Sequence, residues 1–167
     1  MIELDPVDRL TADAVGPPGQ RTFYLQGRKG ERLVTVIVEK QQVQLLAASV
    51  MEILARVGPE VGERPAEEAM GLEEPILPEW RAGRLSLGYH EGRDLLLLEV
   101  EELLPEGADE EPERIRFWAT KEQMLSLARH GAAVCARGRP TCQLCGNPID
   151  PGGHVCPALD GHQDGET

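Results

Sequence analysis

The chain enters two amphipathic helices by similar routes, and this recurrence constrains its fold more than any other feature. From Lys40 to Val57, apolar side chains recur at Val43, Leu46, Ala47, Val50, Ile53, Leu54 and Val57, with Gln41, Gln44, Glu52 and Arg56 on the other face. That spacing is helical, and Gly58-Pro59 stops it. A second helix is expected over Lys121–Ala136, with Met124, Leu127, Ala128 and Cys135 on one stripe. Thr120 and Gln123 stand at capping-box spacing at its start, so each side chain can satisfy a backbone N–H that the first turn leaves without a partner. Lys40-Gln41-Gln42-Val43 and Lys121-Glu122-Gln123-Met124 lie 81 residues apart.

Three strand-like runs precede each helix. The first set is Arg9–Val15, Arg21–Gln26 and Arg32–Val38, with Gly27-Arg28-Lys29-Gly30 as a hairpin turn. The second is Trp80–Gly88, Asp94–Val100 and Arg114–Ala119. Leu33–Val38 and Leu95–Leu98 are continuous apolar runs, as central strands require, whereas Leu85, Leu87 and Tyr89 alternate with polar or small residues. Gly16-Pro17-Pro18-Gly19-Gln20-Arg21 falls against Gly88-Tyr89-His90-Glu91-Gly92-Arg93 at an offset of 72, and the acidic loop Glu101–Glu113 absorbs the difference from the helix offset. The pattern predicts an α+β domain over residues 1–138 made of two tandem β-β-β-α copies related by pseudo-twofold symmetry. The copies cover about 1–58 and 79–138, with 59–78 as a Pro- and Glu-rich linker. Six strands then form one or two sheets with both helices lying over them.

After the second helix the composition changes. Cys142-Gln143-Leu144-Cys145-Gly146 and His154-Val155-Cys156 place three thiols and an imidazole within fifteen residues, enough to close a tetrahedral zinc site. Gly146 and the Gly152-Gly153 pair suit the tight turns that aim backbone amides at sulfur. Three thiolates and a neutral imidazole leave no position for water, which favours a structural over a catalytic metal. His162 stands as an alternative to His154, and iron as a rarer occupant than zinc. Residues 139–160 are thus expected to be a small zinc-binding loop, ahead of a flexible 161–167 tail. Cys135 falls on the apolar stripe of its helix, opposite Leu54 of the first copy, and reads as core.

Charge and motifs narrow the function. A balance of 29 acidic against 17 basic residues repels phosphate backbones, and residues 137–167 hold two arginines against four acids, so nucleic acid is a poor partner. No apolar run is long enough for a membrane span, and Met1-Ile2-Glu3-Leu4-Asp5-Pro6 is unlike a signal peptide. Cysteines grouped at metal spacing point to a reducing, cytoplasmic setting. No deaminase, metalloprotease, nucleophile-elbow, phosphate-loop or dinucleotide signature is present, so no catalytic residue is assigned. Gln20 and Arg21, with Arg93 at the matching place in the second copy, form the one candidate ligand site, where an anion could meet backbone amides and guanidinium groups. Either loop also works as a simple strand connection.

Three segments together resemble a known family: Gly16-Pro17-Pro18-Gly19-Gln20-Arg21-Thr22-Phe23-Tyr24-Leu25-Gln26, Val38-Glu39-Lys40-Gln41-Gln42, and the Cys-x2-Cys-Gly…Gly-His-Val-Cys-Pro tail. In that order they are similar to the actinobacterial DUF3090 proteins, from Asp5 to about Gly161. The resemblance implies that Cys142, Cys145, His154 and Cys156 are family Cys/His positions and that Gly19, Gln20 and Arg21 belong to its N-terminal motif. It supplies no activity. The expected function is a cytosolic adaptor or accessory protein with a structural zinc and another protein as partner. The alternative is an enzyme or anionic-ligand binder using the cleft between the copies.

Overall fold

The computed structural model describes residues 1–17, 19–58, 62, 67–137, 155–156 and 162–163. The described residues between 2 and 137 build an α+β fold with one mixed seven-stranded sheet and two helices. The strands are β1 (Ile2–Leu4), β2 (Arg9–Val15), β3 (Thr22–Lys29), β4 (Arg32–Val38), β5 (Pro78–His90), β6 (Leu95–Glu102) and β7 (Arg114–Ala119); the helices are α1 (Lys40–Val57) and α2 (Lys121–Arg137). The order β-β-β-α therefore occurs twice, after a short leading strand.

The sheet runs β1-β7-β6-β5-β4-β3-β2, so its two ends belong to one N-terminal stretch. β1 pairs in parallel with β7, while β2 pairs antiparallel with β3. Between them Val7 N–H donates to the Trp118 carbonyl at 2.8 Å, and Asp8 N–H to the Arg28 carbonyl at 2.7 Å. Residues 2–15 thus bridge β7 and β3, and the sheet curls on itself. Alternate positions point to the enclosed face, where Leu10, Leu25, Val36, Leu98 and Phe117 are each at most 2% exposed. Each such side chain contributes roughly 1.5–3 kcal/mol by leaving water. Phe117 of β7 reaches across to Gly27 of β3, where an added Cβ would fall 2.6 Å from the ring. Only a residue without a side chain fits there.

Corresponding ladders in the two halves share a register. Leu10, Ala12 and Ala14 face Gly27, Leu25 and Phe23, as Leu85, Leu87 and Tyr89 face Val100, Leu98 and Leu96. Gly27, Leu25 and Phe23 in turn face Val34, Val36 and Val38, as Val100, Leu98 and Leu96 face Ile115, Phe117 and Ala119. The parallel junctions match as well: Thr35 is opposite Pro78 where β4 meets β5, and Arg116 is opposite Glu3 where β7 meets β1.

Both helices start at the same end of the sheet, because β4 and β7 run in the same direction. α1 carries the chain from β4 to its parallel neighbour β5, a connection that antiparallel hairpins cannot make. α2 follows β7 and packs on β2 and α1, with Gly131 against Val43 and Ala12. Glu39 N–H bonds Gln42 Oε1 at 2.7 Å and Thr120 N–H bonds Gln123 Oε1 at 2.9 Å, so each helix has a glutamine reaching back over its first turn. Among the described residues, no helix is long and apolar enough to cross a membrane.

Several sequence expectations are amended. β3 continues through Gly27 and Arg28 to Lys29, because the two-residue turn Gly30-Glu31, with Gly30 at φ +59°, reverses the chain and leaves Arg28 paired with Leu33 and Lys29 with Arg32. β5 extends to both Pro78 and His90, β6 lies at Leu95–Glu102, and α2 gains Arg137. β1 was not expected; three residues are too few to show an alternation. Residues 67–77 are more than a linker. A 3-10 turn at Glu67–Met70 packs on β2 and α2, and Met70 is buried at 2% exposure.

Candidate functional site

Three features compete for a functional role: the Cys/His segment, the paired arginine loops, and the seam between the two strand triplets. The first lies mostly beyond what the structure describes. Cys142, Cys145 and His154 are outside the described residues. Cys156 belongs to a two-residue strand β8 (Val155–Cys156) that pairs antiparallel with β9 (His162–Gln163), with Cys156 opposite His162. Among the described residues, no group of three or more His, Cys, Asp or Glu side chains could hold a metal.

The arginine loops fold as turns. Gln20 N–H donates to the Pro17 carbonyl at 3.0 Å, which closes the first. The second closes through Arg93 N–H to the His90 carbonyl at 3.2 Å. The Arg93 guanidinium forms a two-pronged pair with Asp5, at 2.6 and 3.1 Å, and lies 4.8 Å over the Trp118 ring. That pair holds the Asp5 carboxyl below its ordinary range, chiefly through the hydrogen bonds. Trp118 is fixed in turn by Glu3, which accepts from its indole at 2.8 Å, and by the edge of His90. Arg93 therefore anchors the N-terminal stretch. Arg21 is half-buried, and its Nε has no hydrogen-bond partner among the described residues. None of the cavities described below is lined by Gln20, Arg21 or Arg93.

At the seam two glutamine side chains tie the halves together. Gln42 of α1 donates its amide to the Ala82 carbonyl at 3.1 Å, at the bend of β5. Gln123 of α2 donates its amide to the Val7 carbonyl, also at 3.1 Å, at the bend between β1 and β2. Each glutamine binds its own helix start and a bend in the other half, in β5 for Gln42 and just ahead of β2 for Gln123. Beside the seam lie two openings. One of about 460 Å³, between α1 and α2, is lined by Ala47, Met51, Ala128, Ala132 and Cys135. The other, of about 300 Å³, lies between α1 and β5. Cys135 is buried at 2% exposure, its Sγ 3.8 Å from the Lys40 carbonyl, and burial pushes its thiol pKa up. It is a core residue with little thiolate character.

A polar cluster that sequence reasoning missed lies on the outer face of β2, β3 and β4. Gln26 is fully buried there; its Nε2 donates to Thr35 Oγ1 and to the Glu73 carbonyl, both at 3.0 Å. Arg28 pairs with Glu73 at 2.9 Å, and Arg9 donates to the carbonyls of Ala69 and Gly71. Thr11 Oγ1 donates to the Met70 carbonyl at 2.5 Å. These groups fasten residues 69–73 onto the sheet. Chemically the cluster is a clamp whose donors and acceptors are matched within the chain.

His130 is buried on α2, with Nε2 3.4 Å from Asp13 of β2. His90, by contrast, is exposed on the second turn.

Comparison with known families gives a match over most of the chain. A model described as "Protein of unknown function (DUF3090)" covers residues 2–156. The chain belongs to the DUF3090 family. The matched span of this DUF3090 chain takes in the whole curled sheet, both helices and all four predicted metal ligands, and it ends before His162. Comparisons with curated proteins and with solved structures find no match.

Proposed function

We propose that this DUF3090 protein is a non-enzymatic adaptor or accessory protein: a duplicated β-β-β-α body bearing a C-terminal segment shaped by one structural zinc. The observation that carries the reading is the donor set. Cys142, Cys145, His154 and Cys156 supply three soft thiolates and one imidazole, the composition of closed zinc sites. All four fall inside the family match. A segment this rich in Gly and Pro cannot bury a core of its own, and zinc supplies the folding free energy that it lacks. The backbone pairing of Cys156 with His162 gives the second histidine a route to the site, so both His154 and His162 are tested.

The duplication is supported by the matched ladders, the two parallel junctions and the Gln42–Gln123 correspondence. On this reading β2-β3-β4-α1 is the first copy and β5-β6-β7-α2 the second, and a pseudo-twofold axis would relate them. The partner is a protein, since a chain with 29 acids and 17 bases disfavours nucleic acid. Metal analysis of protein purified without chelator, alongside Cys142→Ser, His154→Ala and His162→Ala, tests the reading. About one zinc per chain, lost in Cys142→Ser and His154→Ala and kept in His162→Ala, is expected.

A second reading has one observation in its favour. The half-buried Arg21 Nε has no partner among the described residues, and an anion at that loop would supply one. Arg93 does not share the task, because Asp5 already neutralises it. A thermal-shift screen with phosphorylated and carboxylate metabolites supports this reading if a hit disappears in Arg21→Ala.

A further inference from the structure

The opening between α1 and β5 corresponds, position by position, to a place that is filled in the other half. In the first half, the chain leaving α1 passes α2, where Gly62 N–H bonds Glu122 at 2.8 Å. It then lays Met70 on β2 and α2. Arg9 and Thr11 of β2 bind the carbonyls of residues 69–71. The ladder registers place Arg84 and Ser86 of β5 where Arg9 and Thr11 stand in β2. Both Arg84 and Ser86 line the opening, together with Leu87 of β5 and Gln42, Leu45 and Ser49 of α1. No side-chain hydrogen bond from Arg84 or Ser86 is found among the described residues.

Exposure tells the same story. Leu45 is 68% exposed, whereas Ser126, at the matching place on α2, is 5% exposed. A large apolar side chain lies bare where its counterpart is covered.

We infer that the C-terminal segment, residues 138–156, docks in this opening as residues 67–73 dock in the other half, presenting carbonyls to Arg84 and Ser86 and apolar side chains to Leu45 and Leu87. The path begins in the right place. Cys135, two residues before the end of α2, lies against the carbonyl of Lys40, the first residue of α1, and α1 forms one wall of the opening. The reach is sufficient: Met70 comes thirteen residues after the end of α1, and thirty residues follow the end of α2. Leu144, Ile149 and Val155 supply apolar side chains along the way. The inference rests on the zinc reading only in that zinc would pre-shape the docked segment.

The test places p-benzoylphenylalanine at Leu45 in the full chain, irradiates it, and maps crosslinks by peptide mass spectrometry, with zinc content measured on the same sample. The expected product is an intramolecular crosslink from position 45 to a peptide within 138–156. A crosslink between two copies would make the opening an intermolecular surface and overturn the inference, as would no crosslink at all. Zinc bound without the crosslink would sink the docking and leave the metal site standing. A crosslink in protein lacking zinc would do the reverse.

Discussion

Gln42 and Gln123 make the same pair of contacts from the two helices. Each accepts from the backbone N–H three residues before it and donates to a carbonyl at a bend in the other half, Ala82 in β5 for Gln42 and Val7 between β1 and β2 for Gln123. Two side chains thus couple the helix starts to the places where the strand triplets meet. Replacing either with alanine removes a cap and leaves a partly buried carbonyl without its donor. Gln42→Ala and Gln123→Ala should each cost about 1–2 kcal/mol, measured by urea unfolding. A negligible cost in either variant would mean that the seam is held by apolar packing alone.

The contact between Gly27 and Phe117 makes a second, directional prediction. A methyl group on Gly27 would sit 2.6–2.7 Å from the ring, so Gly27→Ala overpacks the enclosed face and should cost about 1–3 kcal/mol. Adding Phe117→Leu to Gly27→Ala should recover part of that loss, although Phe117→Leu alone destabilises. Equal additive losses would show that the two residues do not compete for the same space.

How much of this was legible beforehand follows from the range of each interaction. The two helices, the third strand of each triplet and the β-β-β-α order were readable, because side-chain periodicity and capping are local. The bridging of β7 and β3 by residues 2–15 was not, since neither Val7 nor Asp8 carries any local mark of its long-range hydrogen bond. Gln123 was recognisable as a capping residue, but its bond to Val7, 116 residues away, was not. Met70 and Glu73 sat in a stretch whose proline and glutamate content reads as solvated. The burial of Met70 and the docking of Glu73 depend on Arg9, Thr11, Gln26 and Arg28, polar residues on strand positions that a one-sided sheet would expose to water. The arginine loops misled for a related reason: Arg93 has its anion within the chain, in Asp5.

The Asp13–His130 pair sets an expectation for pH. Burial raises the Asp13 carboxyl, but the His130 hydrogen bond, the Ala14 N–H and the charges of His130 and Arg137 together hold it below its ordinary value of 3.8. A carboxyl depressed in the folded state contributes stability that is present above its unfolded pKa and lost as pH falls through the folded one. Asp13→Asn should therefore be less stable than the parent at neutral pH, with the gap closing as the pH drops below about 4. A gap of constant size down to strongly acidic pH would contradict the assignment.

Cys135 should behave as a shielded thiol. Its 2% exposure and raised pKa predict slow alkylation by a neutral maleimide in the native protein and fast alkylation after unfolding. Rapid native labelling at Cys135 would show that the opening between α1 and α2 admits reagents to the core.

The most direct measurement for the account as a whole is zinc stoichiometry of the intact chain by mass spectrometry, with hydrogen exchange recorded before and after chelation. The account predicts about one zinc per chain, absent in Cys142→Ser, and chelation that exposes residues after Arg137 while the amides of β2–β7 keep their protection. A chain purified without metal would contradict the structural zinc. Collapse of protection throughout the sheet on chelation would contradict the separation of a self-supporting body from a zinc-shaped segment.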